Sequence, residues 1–242
     1  MKALVVGGSS GIGLSIVLQL INDALVEEVY VIDKSAFPVN YTHERVSFIE
    51  CDLTNGDYSI LNQADDIQML YITAGFGHLK WFQDLTPTYI NDSFSVNAVA
   101  PIQIIRHYYD KLLSTDDFYC AVMASIAGRL SSPLFSVYSA TKAALSKFIE
   151  AVNVELDVQG SSNRILEVSP GSLKGTSFTG GISQPEQTAN LAEQIIERSR
   201  KHDMLLIPQY AEVFKSVIER YQVDSHQFGV DSFWYKKKQG RF

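Results

Sequence analysis

The 242-residue chain is 46% hydrophobic and 19% charged, with a formal net charge of −7 at pH 7. This composition supports a substantial core within one large α/β unit. The acidic balance disfavours a non-specific nucleic-acid role, which relies on a basic face.

No apolar run is long enough to span a membrane, and the five histidines show no metal-ligand spacing. Cys51 and Cys120 are far apart and neither has a CxxC partner, as expected for reduced thiols in a cytoplasmic protein. Met1-Lys2 runs directly into an apolar strand, and a glycine-rich turn falls where a leader would need its apolar stretch, so no signal peptide is expected.

In chain order, ALVV (3–6) reads as a short strand ending in GGSSGIG, and LSIVLQLIN (14–22) as a helix with Leu14, Val17, Leu18 and Ile21 on one face. EVYVID (28–33), VSFIE (46–50) and DIQMLYIT (66–73) read as strands two to four. Residues 87–113 are helical, as two helices or as one with a bend near Asn97–Pro101. FYCAVMAS (118–125) is a fifth strand, 135–158 a helix, RILEVSP (164–170) a sixth strand, 186–200 a helix, MLLIP (204–208) a last strand and 211–221 a final helix. Residues 222–242 read as a less regular solvated tail with a few anchoring aromatics and a KKK run, following a single domain over 1–221. Alternating strands and helices imply a single doubly wound Rossmann-type α/β domain, with a parallel sheet of about seven strands and helices on both faces.

The glycine turn joins the first strand to the first helix. Glycine allows a tight turn and close approach to a pyrophosphate, whose charge the helix N-terminus then faces. The spacing is G-x-x-x-G-x-G, from Gly7, Gly11 and Gly13, with Ser9, Ser10 and Ile12 completing the segment. It differs from the commoner G-x-G-x-x-G. Asp33 ends the second strand 20 residues past Gly13, where a carboxylate can bind ribose hydroxyls and repel a 2′-phosphate. NAD is therefore favoured, while Lys34 immediately after leaves NADP possible.

Two Tyr-x-x-x-Lys pairs occur, YVIDK at 30–34 and YSATK at 138–142. Along a strand, residues four apart are separated by roughly 13 Å, so Tyr30 and Lys34 cannot share a proton network. On a helix, Tyr138 and Lys142 stack about 6 Å apart. A nearby ammonium there is expected to lower the tyrosine pKa towards working pH, creating a general acid/base. Ser125 ends the fifth strand at the ligand-binding edge of the sheet, and Asn97 marks a break or polar contact in the preceding helical region.

Together these residues resemble the short-chain dehydrogenase/reductase family over about residues 2–210. The matching features are GGSSGIG, Asp52-Leu53 after the third strand, Ala74-Gly75 after the fourth, Asn97, Ser125, Tyr138 with Lys142, and Pro170-Gly171. The resemblance implies hydride transfer between a nicotinamide cofactor and a carbonyl or secondary alcohol. In that scheme Asn97, Ser125, Tyr138 and Lys142 are catalytic. Lys142 also holds the nicotinamide ribose, Asp52 and Leu53 contact adenine, and Pro170-Gly171 lies beside the nicotinamide. A homodimer or homotetramer built on the helices around 97–113 and 135–158 is also implied, with Phe135, Leu145, Phe148 and Val152 fitting an interface or a core.

The chain departs from the family pattern at Val6 and Thr73, where Thr and Asn are usual, and at Thr176, one residue late after Pro-Gly. Phe76, His78, Leu130, Phe135 and the loop 172–184 are the expected substrate-pocket residues. The alternative is a non-catalytic NAD(P)-binding regulatory protein on the same fold. An epimerase or dehydratase fits less well, since only about 70 residues follow Pro170.

Overall fold

A computed structural model describes residues 1–176, 178 and 182–240. Seven strands form one parallel sheet: β1 (Lys2–Val6), β2 (Glu28–Asp33), β3 (Val46–Glu50), β4 (Met69–Ile72), β5 (Tyr119–Met123), β6 (Ile165–Val168) and β7 (Leu205–Leu206). Their order is β3-β2-β1-β4-β5-β6-β7, every neighbour parallel. The chain starts in the middle and winds outward twice, so the order reverses between β1 and β4. Loops leaving the C-terminal ends of these two strands diverge there and open a crevice.

Each face of the sheet has its own core. Helix α1 (Gly11–Leu20) and helix α6 (Pro185–Arg200) cover one face, burying Leu14, Ile16, Val17 and Ile195 against Val5, Val29 and Val168. Polar contacts fix their register: Ser15 Oγ donates to the Pro185 carbonyl at 2.8 Å, and Gln19 Nε2 to Ala189 O at 2.6 Å. The other face is covered by α3 (Ala100–His107) and α5 (Ser136–Val158), through Ile104, Ile105, Leu145 and Ile149.

The stretch 87–113 is interrupted rather than continuous. Helix α2 (Pro87–Phe94) opens into a π-helical turn at Ser95–Val99 before α3, and a short α4 (Tyr109–Leu113) follows. Pro101 explains the opening, because it lacks the N–H that would bond the Asn97 carbonyl and its ring crowds that carbonyl. Ala100 N instead reaches back to Ser95 O. Of the residues expected at an interface or a core, Leu145 and Val152 are buried, Phe148 packs against the same core, and Phe135 turns towards the crevice.

The C-terminal segment departs from the expected irregular tail. After α7 (Lys215–Val223), residues Ser225–Lys238 form helix α8, capped by the Asp224 carboxylate accepting from Gln227 N at 2.8 Å. The Asp-x-x-Gln capping pattern is present in the sequence at 224–227.

Candidate active site

A cavity of about 810 Å³ runs along the crevice from the glycine turn to α8. At one end lies the turn between β1 and α1. Gly7 has φ +87°, a conformation that favours glycine. A Cβ on Gly13 would stand 2.1 Å from the Gly7 carbonyl oxygen and 2.5 Å from Thr73 Oγ1, so only glycine lets α1 start this close to the turn. Thr73 Oγ1 donates to both Val6 O (3.0 Å) and Gly7 O (3.1 Å), so the residue that replaces Asn still ties β4 to β1.

The acidic residues at this end of the crevice are held by backbone amides. Asp33 accepts from Ser9 N and Ser35 N, each at 3.0 Å, at the C-terminal end of β2. Asp52 accepts from Thr54 N at 3.0 Å and Thr54 Oγ1 at 2.8 Å, bonds that hold its carboxyl below the ordinary range despite opposing desolvation. Gly7, Ser10, Gly11, Ile12, Gly13, Asp33, Lys34, Asp52, Leu53, Ala74 and Gly75 all line the cavity at this end. Ser9 sits just behind them, and its Oγ is buried with no hydrogen-bond partner among the described residues. An orphaned hydroxyl beside glycines that admit no side chain, with two anchored carboxylates beyond, fits an adenosine diphosphate moiety.

In the middle of the crevice lie Ser125 and Tyr138, with Lys142 buried behind them and not lining the cavity. Ser125 caps the short 3₁₀ turn at Ile126–Gly128, its Oγ accepting from Ala127 N at 3.2 Å. Tyr138 and Lys142 are on one face of α5, with Lys142 Nζ 5.9 Å from the tyrosine ring centroid, as the helical spacing requires. Lys142 is 2% exposed, and its Nζ donates to Met123 O at 2.7 Å. Burial pushes the Lys142 ammonium down to about 8 and the Tyr138 phenol up to about 12, with hydrogen bonding to Ser125 opposing the latter. The sequence expectation of a lowered tyrosine pKa is therefore not met in the chain alone. Desolvation outweighs the Ser125 hydrogen bond, and the same burial disfavours the charge on Lys142.

Asn97 is fully buried and does not line the cavity. Its side chain latches the segment after β4: Oδ1 accepts from Phe76 N at 2.9 Å, and Nδ2 donates to Phe76 O at 2.8 Å and to Thr141 Oγ1 at 3.2 Å. Gly75 passes so close that a Cβ would meet Asn97 Oδ1 at 3.1 Å and Lys142 Nζ at 3.3 Å.

Aromatic rings line the open end. The Phe178 ring lies 5.1 Å from that of Tyr138, and Phe135 lies 5.3 Å from Tyr138 on another side. Phe76, His78 and Phe135 line the cavity as expected, whereas Leu130 is not among its lining residues. Of the loop 172–184, Ser172, Leu173, Thr176 and Phe178 line it, and Ser177, Thr179, Gly180 and Gly181 lie outside the described residues. Pro170 and Gly171 line the floor, with Phe214 so near Gly171 that a Cβ there would meet its ring at 2.5 Å.

Helix α8 crosses both lips of the mouth. Phe233 packs on Trp81, with ring centroids 5.3 Å apart, and Lys236 Nζ donates to Ser132 Oγ at 2.8 Å and Pro133 O at 2.7 Å. Lys236 is 7% exposed and lines the cavity. Sequence reasoning missed it because it sits in a KKK run, the usual mark of a solvated face. The capping signal at Asp224 and the aromatics at 228 and 233 were the available pointers to an ordered helix.

A seven-stranded parallel sheet with this order and a ligand-sized crevice at its switch point defines a doubly wound Rossmann-type α/β protein. The short chain dehydrogenase family model matches residues 1–187, and the chain belongs to that family of oxidoreductases. It is 30% identical over 193 residues to the uncharacterized oxidoreductase TDA5 of Saccharomyces cerevisiae, covering 76% of this chain and 58% of TDA5. It is 27% identical to the probable short-chain type dehydrogenase/reductase VdlC of Helicobacter pylori, over 71% of this chain and 65% of VdlC. The chain thus spans less than two thirds of the length of these relatives.

Among solved structures, a short-chain dehydrogenase from Streptomyces avermitilis matches 100% of this chain and 99% of its own, with a TM-score of 0.75 at 22% identity. One from Burkholderia phymatum in complex with NAD matches 92% and 93%, with a TM-score of 0.78 at 16% identity. Another from Burkholderia cenocepacia was solved with NADP and matches 90% and 96%, with a TM-score of 0.72 at 19% identity. Among the described residues no helix is long and apolar enough to cross a membrane, and no cluster of His, Cys, Asp or Glu is suited to hold a metal.

Proposed function

We propose that this protein is an NAD(P)-dependent oxidoreductase that interconverts a carbonyl and a secondary alcohol, with Tyr138 as general acid/base. One observation carries this reading: a cavity whose glycine-turn end fits a dinucleotide is continuous with the Ser125–Tyr138 pair, with a buried lysine behind it. A bound nicotinamide supplies or accepts the hydride. The glycine turn, Asp33, Lys34, Asp52, Leu53, Ala74 and Gly75 bind the adenosine and pyrophosphate end, while Pro170, Gly171, Tyr138 and Lys142 bind the nicotinamide end. Asp33 favours NAD over NADP, because its carboxylate is aimed by two amides and repels an added phosphate.

In the reducing direction, Ser125 donates a hydrogen bond to the substrate oxygen and steadies its developing charge. Tyr138 gives that oxygen its proton, and in the oxidising direction takes it back. Raising the phenol to about 12 weakens it as an acid, yet proton transfer to an alkoxide stays downhill because the alkoxide is more basic still. Lys142 supplies positive charge beneath the tyrosine when protonated, and Asn97 keeps the Phe76 segment and α5 in register around it. The substrate is a small carbonyl or alcohol with apolar surface, matching the aromatic walls. The remaining expectations, a cytoplasmic homodimer or homotetramer, belong to the same proposal. So does a domain that ends at 221, although α8 packs against it.

A panel of carbonyls and secondary alcohols incubated with both cofactor pairs, followed at the reduced-nicotinamide absorbance, tests this reading. It expects turnover with at least one member. Tight dinucleotide binding without turnover across the panel would favour a regulatory protein instead.

A further inference from the structure

Strand β6 is buried along its whole length, yet it carries an acid. Glu167 is 3% exposed, and its Oε1 accepts three hydrogen bonds: from Arg129 Nη2 at 2.6 Å, Ser169 Oγ at 2.6 Å and Ser146 Oγ at 3.0 Å. Only the Glu167 half of this pair is buried, the Arg129 side chain being 31% exposed, and a buried carboxylate is seldom the most stabilising filling for such a site, since removing it from water costs about as much as pairing returns. An apolar residue would serve stability as well, so what the carboxylate connects is more informative.

Each of its three partners belongs to a different part of the site. Arg129 ends the turn that Ser125 caps, its N–H closing onto Ile126 O at 3.0 Å. Ser146 lies one helical turn beyond Lys142 on α5. Ser169 immediately precedes Pro170-Gly171, and Pro170 O accepts from Ile126 N at 3.0 Å. Gly128 presses against the α5 backbone so closely that a Cβ would stand 2.7 Å from the Lys142 carbonyl carbon. The turn, the helix and the loop therefore meet at one carboxylate oxygen.

We propose that Glu167 and Arg129 are positioning residues for the reaction inferred above, on which this proposal rests. The carboxylate sets the Ser125 turn, the Lys142 segment of α5 and the Pro170-Gly171 loop in a single registry. Neither residue lines the cavity, so both act through the groups they hold.

The test uses Glu167→Gln, Arg129→Met and Arg129→Lys in the full chain, with two readouts. By amide hydrogen exchange, Glu167→Gln and Arg129→Met should speed exchange in both 125–130 and 169–172 on the order of tenfold, as loss of a charge-assisted bond implies. By kinetics with a carbonyl from the panel, Arg129→Met should lower kcat on the order of 100-fold, as expected for misplacement of reacting groups by about 1 Å, with KM little changed. Arg129→Lys should recover part of the loss. In a Ser125→Ala background the same Arg129→Met change should cost less, because the part of its action that runs through the Ser125 turn is already gone.

Faster exchange confined to residues around Arg129 would overturn the proposal, as would a kcat loss of equal size in both backgrounds. Should Arg129→Met fail to fold, Glu167→Gln, which keeps the shape, carries both readouts alone. If no carbonyl turns over in the wild type, the catalytic reading fails, while the exchange experiment still decides whether one carboxylate holds both segments.

Discussion

Replacing Lys142 with methionine keeps the stem and removes the amine, and its effect on stability should change sign with pH. Burial lowers this lysine from 10.5 to about 8, which corresponds to about 3 kcal/mol of cost for carrying the charge in the folded state. Below pH 8 the amine is protonated folded and unfolded, so the folded chain bears that cost in full. Between 8 and 10.5 the unfolded chain binds more protons, so stability rises with pH, and above 10.5 the cost is gone. The variant lacks this dependence but also loses the bond from Nζ to Met123 O, worth about 1 kcal/mol. Lys142→Met should therefore be more stable than wild type by about 2 kcal/mol at pH 7. It should fall below wild type by about 1 kcal/mol near pH 10.5. Urea unfolding of both proteins at half-unit steps from pH 7 to 10.5 gives the difference directly, with all other titrations cancelling. A difference that stays flat with pH would refute the buried, depressed lysine.

Three further outcomes follow from the site. Gly13→Ala should abolish dinucleotide binding, because its Cβ would drive into the Gly7 carbonyl and force α1 away; normal binding by fluorescence titration would contradict the cradle. Wild type should bind NADH more tightly than NADPH, and Asp33→Asn should narrow the gap, whereas tighter NADPH binding would mean Lys34 outweighs Asp33. Ending the chain after Asp224 removes α8 with Phe233 and Lys236, and should raise KM while leaving cofactor affinity unchanged; an unchanged KM would mean the helix only covers surface.

The sheet and its switch point were readable from the sequence because apolar runs alternate with helical spacing, and the glycine turn marks where the crevice opens. The helical location of Tyr138 and Lys142 was likewise readable, since four-residue spacing brings side chains together only on a helix. What escaped was set by long-range packing. Tyr138 is desolvated by its burial in the folded chain, where Phe178 from a distant loop packs on its ring, and no local pattern conveys that its pKa rises rather than falls. Lys236 looks like one of three solvated lysines until α8 docks across the mouth. Glu167 sits in an otherwise apolar strand, and its three partners come from three elements. Asn97 was correctly singled out as a break or polar contact. The break itself comes from Pro101, and the contact is to the Phe76 backbone.

The central claim is that Tyr138 handles the substrate proton. Tyr138→Phe removes only the hydroxyl and leaves the ring contacts with Phe135 and Phe178. Turnover with the best substrate of the panel should fall by roughly a thousandfold, within the range for loss of general acid catalysis, while the NADH dissociation constant stays near the wild-type value. Turnover close to wild type in this variant would contradict the mechanism.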